Sequence, residues 1–415
     1  MRAAIRLRCL VLVIAISVLC GPVAAAAEGL PCDTDGNGRI AADELAGEIL
    51  DYLEASGTDS AATVDDIRDA AFVYDRWGGD PLTVTDSSGA THTLYRPLKR
   101  MVVFNSDCLE VMRTVGLDPS RVAGVSKYTL EDPVYFPEYQ DTENIGSIWS
   151  PDIERVVSLR PDAVFLYWSC SQSSNDQIQE KLESVYPDLP VFRFDCFYPS
   201  SYVQEVGAIS RILGNQKRGS EFIGFYTGTM DDIRGITEPI PENDRTAVYL
   251  ESWDSYKSAA EGSGYHEKIV LAGGRNIFAD EPAEYPQIDP EAVITRQPEV
   301  VVKVVGAGDL DFGGYGWSDR APFADLLDEL VSRPAWKTVP AVRDDRVHII
   351  HTDLIGGPQH FVGIAYLARW FYPEKFTELN PTDIQRIYLT RYQGIDPACI
   401  ENSIFLYPSE GSETE

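Results

Sequence analysis

The chain has 415 residues, a formal net charge of −30 and 44% hydrophobic residues. A surface this negative excludes nucleic acid as a partner, because nothing on it neutralises phosphates. The apolar share is that of packed domains and excludes wholesale disorder.

Arg2, Arg6 and Arg8 precede the apolar run "CLVLVIAISVLCGPVAAAA", which ends in small residues. That order predicts a secretory signal over residues 1–27. If kept, it would be a membrane tether, since the run nears the length that spans a bilayer. The expected location is therefore exported, at the cell surface or in a periplasm-like space. Removal would leave roughly 385 residues, enough for two domains or more. Cys9 and Cys20 would leave with the signal, and Cys32, Cys108, Cys170, Cys196 and Cys399 would stay. These five show no CxxC spacing, which argues against zinc, and their odd number leaves at least one thiol outside any intrachain pair.

"CDTDGNGRIAADEL" (32–45) has the spacing of a calcium loop. Asp33, Asp35 and Asn37 put side-chain oxygens at alternate positions, Gly38 supplies the sharp turn, and Arg39 can offer its carbonyl. Glu44 then closes the loop as a bidentate ligand. The amphipathic stretch "ELAGEILDYLEAS" follows, then "TVDDIRDAAFVYDRW", opened by Thr63 as a cap with Asp65 and Asp66 in its first turn. Residues 28–80 are thus predicted to be a small helical module.

The period-2 segment "LTVTDSSGATHTLYRP" predicts a hairpin. "RMVVFN", "RVAGVS", "DAVFLYW" and "PVFRFD" then alternate with helical stretches, as "RTAVYLES", "EVVVKVVG" and "RVHIIHT" do later. Continuous apolar strands alternating with helices imply parallel sheets covered on both faces. The fold class is therefore α/β. Two Rossmann-like lobes (81–215 and 239–375) flank a long helix at 216–238, and a tail with one helix follows at 376–415.

Ligands of open parallel sheets sit beyond the carboxyl ends of the strands. Those ends and the loops beside them carry Asn105, Ser106, Lys127, Tyr128, Trp149, Trp168, Tyr198, Trp253, Tyr256 and Tyr285. So many aromatic residues suit a large, flat or greasy ligand with some polar groups. No phosphate loop, HExxH, G-x-S-x-G elbow or strand-linked GxGxxG occurs, so no enzyme is expected. The Gly-rich "GAGDLDFGGYGW" (306–317) is expected to be a mobile loop over the cleft. Cys170 and Cys196 follow what should be adjacent parallel strands, and a disulfide between them is expected on that geometry, with Cys108 as the competing partner.

The series "RPLKRMVVFNSDCLEVMRTVGL", "RVAGVS", "IGSIWSPDIERVVSLRPDAVFLY" and "LAGGRNIFADEPAEYPQIDPEAVITRQPEVVV" resembles the solute-binding proteins of metal-chelate ABC importers. That group takes ferric siderophores, haem and cobalamin, and the resemblance runs from about Thr83 to Tyr372. It implies two lobes on a rigid helix, a small-molecule metal chelate as cargo and a membrane permease as partner. A monomer is expected. It also implies that Glu154 and Glu291 meet arginines of the permease. In cobalamin binders, aromatic residues just ahead of those two helices line the cleft, as Trp149 and Tyr285 would here. The calcium loop with its following helix resembles half of a dockerin repeat. A calcium-dependent surface interaction protein is thus the competing reading.

Overall fold

The computed structural model describes residues 29–55 and 62–408. The expected signal segment lies outside them. No helix among the described residues is long and apolar enough to cross a membrane.

The N-terminal module consists of α1 (Ala42–Glu54) and α2 (Val64–Trp77). Thr63 caps α2 reciprocally with Asp66, satisfying backbone N–H groups that a helix start leaves free. Ile40 of the acidic loop is buried with Leu30, Ala70 and Val73 in a small core. Its N–H donates to the Gly79 carbonyl at 2.8 Å. A Cβ on residue 79 would lie 2.4 Å from the Ile40 carbonyl oxygen, so only glycine permits this approach. The module is docked on the first lobe. Trp77 Nε1 donates to the Arg211 carbonyl (2.9 Å), Arg96 pairs with Asp66 (2.7 Å), and Lys99 pairs with Asp69 (2.7 Å).

Strands β1 (Leu82–Thr85) and β2 (Thr91–Leu94) form the expected hairpin. The first lobe then threads β3 (Met101–Val103), α3 (Ser106–Thr114), β4 (Val122–Val125), α4 (Lys127–Glu131) and β5 (Glu143–Asn144). The short pair β6 (Gly146–Ser147) and β7 (Ser150–Pro151) leads into α5 (Ile153–Ser158), β8 (Ala163–Leu166), α6 (Gln172–Val185) and β9 (Val191–Arg193). Its sheet is parallel throughout, in the order β5-β4-β3-β8-β9.

Helix α7 (Pro199–Leu213) ends at Gly214, whose φ of +75° turns the chain into the 22-residue α8 (Gln216–Thr237). The second lobe continues with β10 (Ala247–Glu251), α9 (Gly264–Leu271), β11 (Arg275–Asn276), α10 (Pro290–Arg296) and β12 (Val300–Val305). After these come α11 (Ala321–Ser332), α12 (Pro340–Arg343), β13 (Val347–His351), α13 (Thr352–Ile355) and α14 (His360–Phe371). All six residues of β12 are buried, as a strand covered on both faces requires. The tail is part of this lobe: β14 (Leu406–Tyr407) pairs antiparallel with β13 and closes the order β11-β10-β12-β13-β14.

One apolar core runs through both lobes, from Val103 and Phe165 to Val302 and Ile350. Aromatic contacts join the helices between them: Tyr202 to Tyr226 at 4.9 Å and Tyr226 to Phe361 at 5.6 Å between ring centroids. The tail adds Tyr388 and Tyr392, both packed on Phe222 of α8. A shared core of this kind resists lobe opening, so the space between the lobes is largely preformed.

The Gly-rich segment departs from expectation. It is anchored, not free over the cleft. Gly314 N–H donates to the Ile404 carbonyl, Gly316 N–H donates to Ser403 Oγ, and Tyr315 stacks on Tyr135 of the first lobe at 4.6 Å. The glycines serve close packing, since Cβ atoms at 313 and 314 would meet the buried His351 ring at 2.9 and 2.6 Å.

Candidate functional site

A cavity of about 550 Å³ lies between the lobes. Its walls come from residues just past the carboxyl ends of strands: Asp107 after β3, Tyr167, Ser169 and Cys170 after β8, and Phe197 and Tyr198 after β9. The second lobe supplies Ser252, Trp253 and Lys257 after β10, and Thr352 and Gly356 after β13. Tyr265 and Lys268 of α9 and Glu284 and Tyr285 of the loop after β11 also line it. Six aromatic rings therefore face one space.

Four charged side chains line it, Asp107, Lys257, Lys268 and Glu284, and burial shifts the first and third of them strongly. Burial pushes the Lys268 ammonium down to about 7, with Asp107 and Glu267 pulling it back up. Burial likewise raises the Asp107 carboxyl well above the usual range, helped by Glu110. Asp107 also lines an adjoining chamber of about 250 Å³ with Ser106, Tyr128, Asp132, Tyr135, Tyr315 and Asp353.

The ten residues anticipated for the cleft fall in five different surroundings. Tyr198, Trp253 and Tyr285 line the inter-lobe cavity, and Ser106 and Tyr128 line the adjoining chamber. Trp168 faces a different hollow of about 470 Å³ beside the hairpin, together with Asp86, Asp195 and Glu205. Trp149 is 62% exposed in the turn between β6 and β7, and Lys127 pairs with Glu131 on the surface of α4. Asn105 is structural. Wholly buried, it caps α3 by accepting the Cys108 N–H and donates to the Phe194 carbonyl. Tyr256 is also structural, packed under the Arg333 guanidinium (4.5 Å) and against Trp336. Sequence reasoning missed Asp107, Tyr167, Tyr265 and Lys268. Asp107 is one residue past an anticipated position, whereas nothing in the pattern of "GYHEKIVL" marks Tyr265 and Lys268 as facing a cavity.

Beneath Trp253 lies a buried ion cluster. The Glu251 carboxylate accepts from Lys303 Nζ (2.8 Å), from both terminal nitrogens of Arg333 (2.7 and 3.0 Å) and from the Tyr249 hydroxyl (2.8 Å). Lys303 Nζ also donates to the Ser252 carbonyl at 2.6 Å. The cluster thereby fixes the turn that carries Trp253.

Helices α5 and α10 open alike. Asp152 and Asp289 cap them, accepting N–H donors from Arg155 and Glu291, and each first turn carries an exposed glutamate, Glu154 or Glu291.

In the N-terminal loop, carboxylate oxygens of Asp33, Asp35 and Glu44 lie within 4.8 Å of one another. Asp33 accepts from the N–H groups of Asn37 and Gly38, and the Asn37 side-chain oxygen accepts from the backbone N–H of Arg39. The chain thus wraps around the acidic cluster, with Gly38 at φ +82°. Hydrogen bonds from the N–H groups of Ala41 and Asp35 hold the Glu44 carboxyl below its usual range. This donor set fits a hard, oxygen-seeking cation.

The expected disulfide is not formed. Cys170 and Cys196 are both free thiols. Cys170 lies beyond the end of β8 in the turn that enters α6, whereas Cys196 has a left-handed backbone (φ +64°). That conformation buries its thiol against Cys108 of α3 and away from Cys170.

The periplasmic binding protein family model matches residues 102–354, more than half of the chain. An uncharacterised ABC transporter substrate-binding lipoprotein, YvrC, of Bacillus subtilis is 23% identical over 303 residues, covering 72% of this chain and 88% of that one. A cobalamin-binding protein of Halobacterium salinarum is 29% identical over 245 residues, 57% of this chain and 62% of that one. Among solved structures, the TroA-like periplasmic binding protein FepB from Veillonella parvula superposes with a TM-score of 0.67 at 21% identity, covering 79% of this chain and 99% of that one. With two α/β lobes on a continuous core and an aromatic cavity between them, the chain belongs to the periplasmic binding protein family and is a solute-binding protein.

Proposed function

We propose that this protein is the exported solute-binding component of an ABC importer and that its cargo is a corrinoid. The observation that carries the reading is the convergence of Phe197, Tyr198, Trp253, Tyr265 and Tyr285 on one inter-lobe cavity. Ring faces offer large apolar contact at little entropic cost, which suits the edge and face of a macrocycle. The Halobacterium relative named for cobalamin binding supports the same cargo. An iron chelate is the competing cargo, since Lys257 and Lys268 could meet an anionic ligand.

Glu154 and Glu291 are the docking residues in this reading, one exposed glutamate per lobe on equivalent helices. Each would make a charge-assisted contact with a permease arginine. The test is uptake of labelled cyanocobalamin into vesicles holding the cognate permease. Wild type binds and delivers it. Glu154→Ala with Glu291→Ala binds it equally and delivers much less. Normal delivery by the double variant rejects the docking assignment, and failure of wild type to bind rejects the cargo.

The loop from Asp33 to Glu44 reads as a calcium staple for the small module, held by Asp33, Asp35, Asn37, Glu44 and the Arg39 carbonyl. The specific observation behind it is the wrapped carboxylate cluster. A single extracellular loop of this type should bind with a dissociation constant of roughly 10⁻⁴ to 10⁻³ M. Calorimetry on the full chain at millimolar calcium should show a binding heat that Glu44→Gln removes. An identical trace from the variant rejects the site.

A further inference from the structure

Lys268 is an unusual feature of the cavity wall. The residue is 1% exposed, yet it lines the space between the lobes. Its ammonium lies 5.3 Å from the Tyr265 ring centroid and 6.0 Å from that of Phe197. Among the described residues it has no hydrogen-bond acceptor and no carboxylate within ion-pair distance. The other buried lysine of the second lobe, Lys303, is held by Glu251 and a carbonyl. Lys268 Nζ opens onto the cavity, so an acceptor on a bound ligand can supply the hydrogen bond that no protein group makes. Gly264 lines the cavity beside it, and a Cβ there would make ordinary van der Waals contact, 3.5 Å, with Lys268 Nζ and the Tyr198 ring.

We propose that Lys268 is the specificity-determining residue of the cleft, donating from its ammonium to an acceptor oxygen, amide carbonyl or phosphate, on the rim of the solute. The assignment rests on the corrinoid reading, whose periphery carries both kinds of oxygen. It explains why an aromatic cavity keeps a cation: the rings supply affinity for a flat body and the lysine fixes its orientation.

Binding at this residue is linked to protons. Burial already disfavours the charged form, so an acceptor oxygen that favours it draws a proton from solvent near neutral pH. Other titratable and charged groups also face Lys268. Asp107 lies at the start of α3, Tyr167 and Cys170 follow β8, Tyr198 follows β9, and Lys257 follows β10. Tyr265 and Glu267 share its helix, Glu284 and Tyr285 lie on the loop after β11, and His360 opens α14. Of these, Asp107 could also take up a proton, so the variant must separate the two.

The experiment titrates wild type and Lys268→Met with cyanocobalamin, haemin and a ferric trihydroxamate, in buffers of different ionisation enthalpy. Methionine keeps the length and apolar packing without the charge, and thermal unfolding confirms that the variant is folded. Lys268→Gln replaces it if it is not. Wild type should take up a proton on binding cyanocobalamin near pH 7, and its affinity should fall as pH rises. Lys268→Met should bind at least about tenfold more weakly and lose that proton uptake. Equal affinity and equal proton uptake in the variant overturn the assignment while leaving the cargo reading intact. If wild type ignores cyanocobalamin but binds one of the iron compounds, the cargo reading falls, and the same comparison on that compound decides the role of Lys268. If none of the three binds, both fall.

Discussion

Replacing Trp253 or Tyr285 with alanine is expected to weaken cyanocobalamin binding by about 10- to 100-fold each, without loss of folding. Burying one large apolar side chain contributes about 1.5–3 kcal/mol, and each 1.4 kcal/mol is a factor of ten. Both rings line the cavity from loops of the second lobe, and Tyr285 is 37% exposed. The folded state therefore loses little when the Tyr285 ring is removed. Trp253 packs only at the edge of the main core. Leucine at either position keeps part of the apolar area and should cost less than alanine. Titration followed by the corrinoid absorbance, with circular dichroism as the control for folding, checks this. Wild-type affinity in Trp253→Ala, Tyr285→Ala and the double variant would place the solute elsewhere. The hollow at Trp168 is the natural alternative, and Trp168→Ala should leave binding unchanged.

The architecture was legible because parallel strands buried on both faces must read as unbroken apolar runs, as "EVVVKVV" does. The strand-end rule pointed toward the inter-lobe cavity but could not choose among side chains. Asn105 and Tyr256 sit where the rule points, yet a capping demand buries Asn105 and a cation–π contact holds Tyr256 against Arg333. Lys268 lies on a helix, outside the rule altogether. The Cys170–Cys196 expectation failed for a related reason. Sequence places strand ends, but the left-handed turn at Cys196 that redirects its thiol is a tertiary outcome. The Gly-rich segment was misjudged because glycine signals freedom and close approach equally, and here the buried His351 ring demands the second.

Glu251→Gln should destabilise the protein by about 3–5 kcal/mol, the largest single effect on stability expected for the chain. The carboxylate is fully buried and answers two cations, so its removal strands charge inside the second lobe. The partners shift in ways that fit this. The Glu251 carboxyl is held below its usual range by Arg333 and Lys303 despite burial, while desolvation leaves the Lys303 ammonium below its own usual value. A depressed carboxyl stabilises the fold above its unfolded pKa, and that contribution disappears as pH falls through the folded value. Wild type should therefore lose stability steeply on acidification below about pH 4, and Glu251→Gln should lack that part of the slope. Lys303→Met makes the functional comparison. Arg333 keeps its carboxylate in that variant, so stability should fall less. The Ser252 carbonyl, however, loses its 2.6 Å donor and the turn bearing Trp253 is released. Ligand affinity should drop further than stability does. Denaturant unfolding and titration of the two variants side by side separate the effects, and a Lys303→Met protein with wild-type affinity would show that the cluster supports the lobe without positioning the cleft.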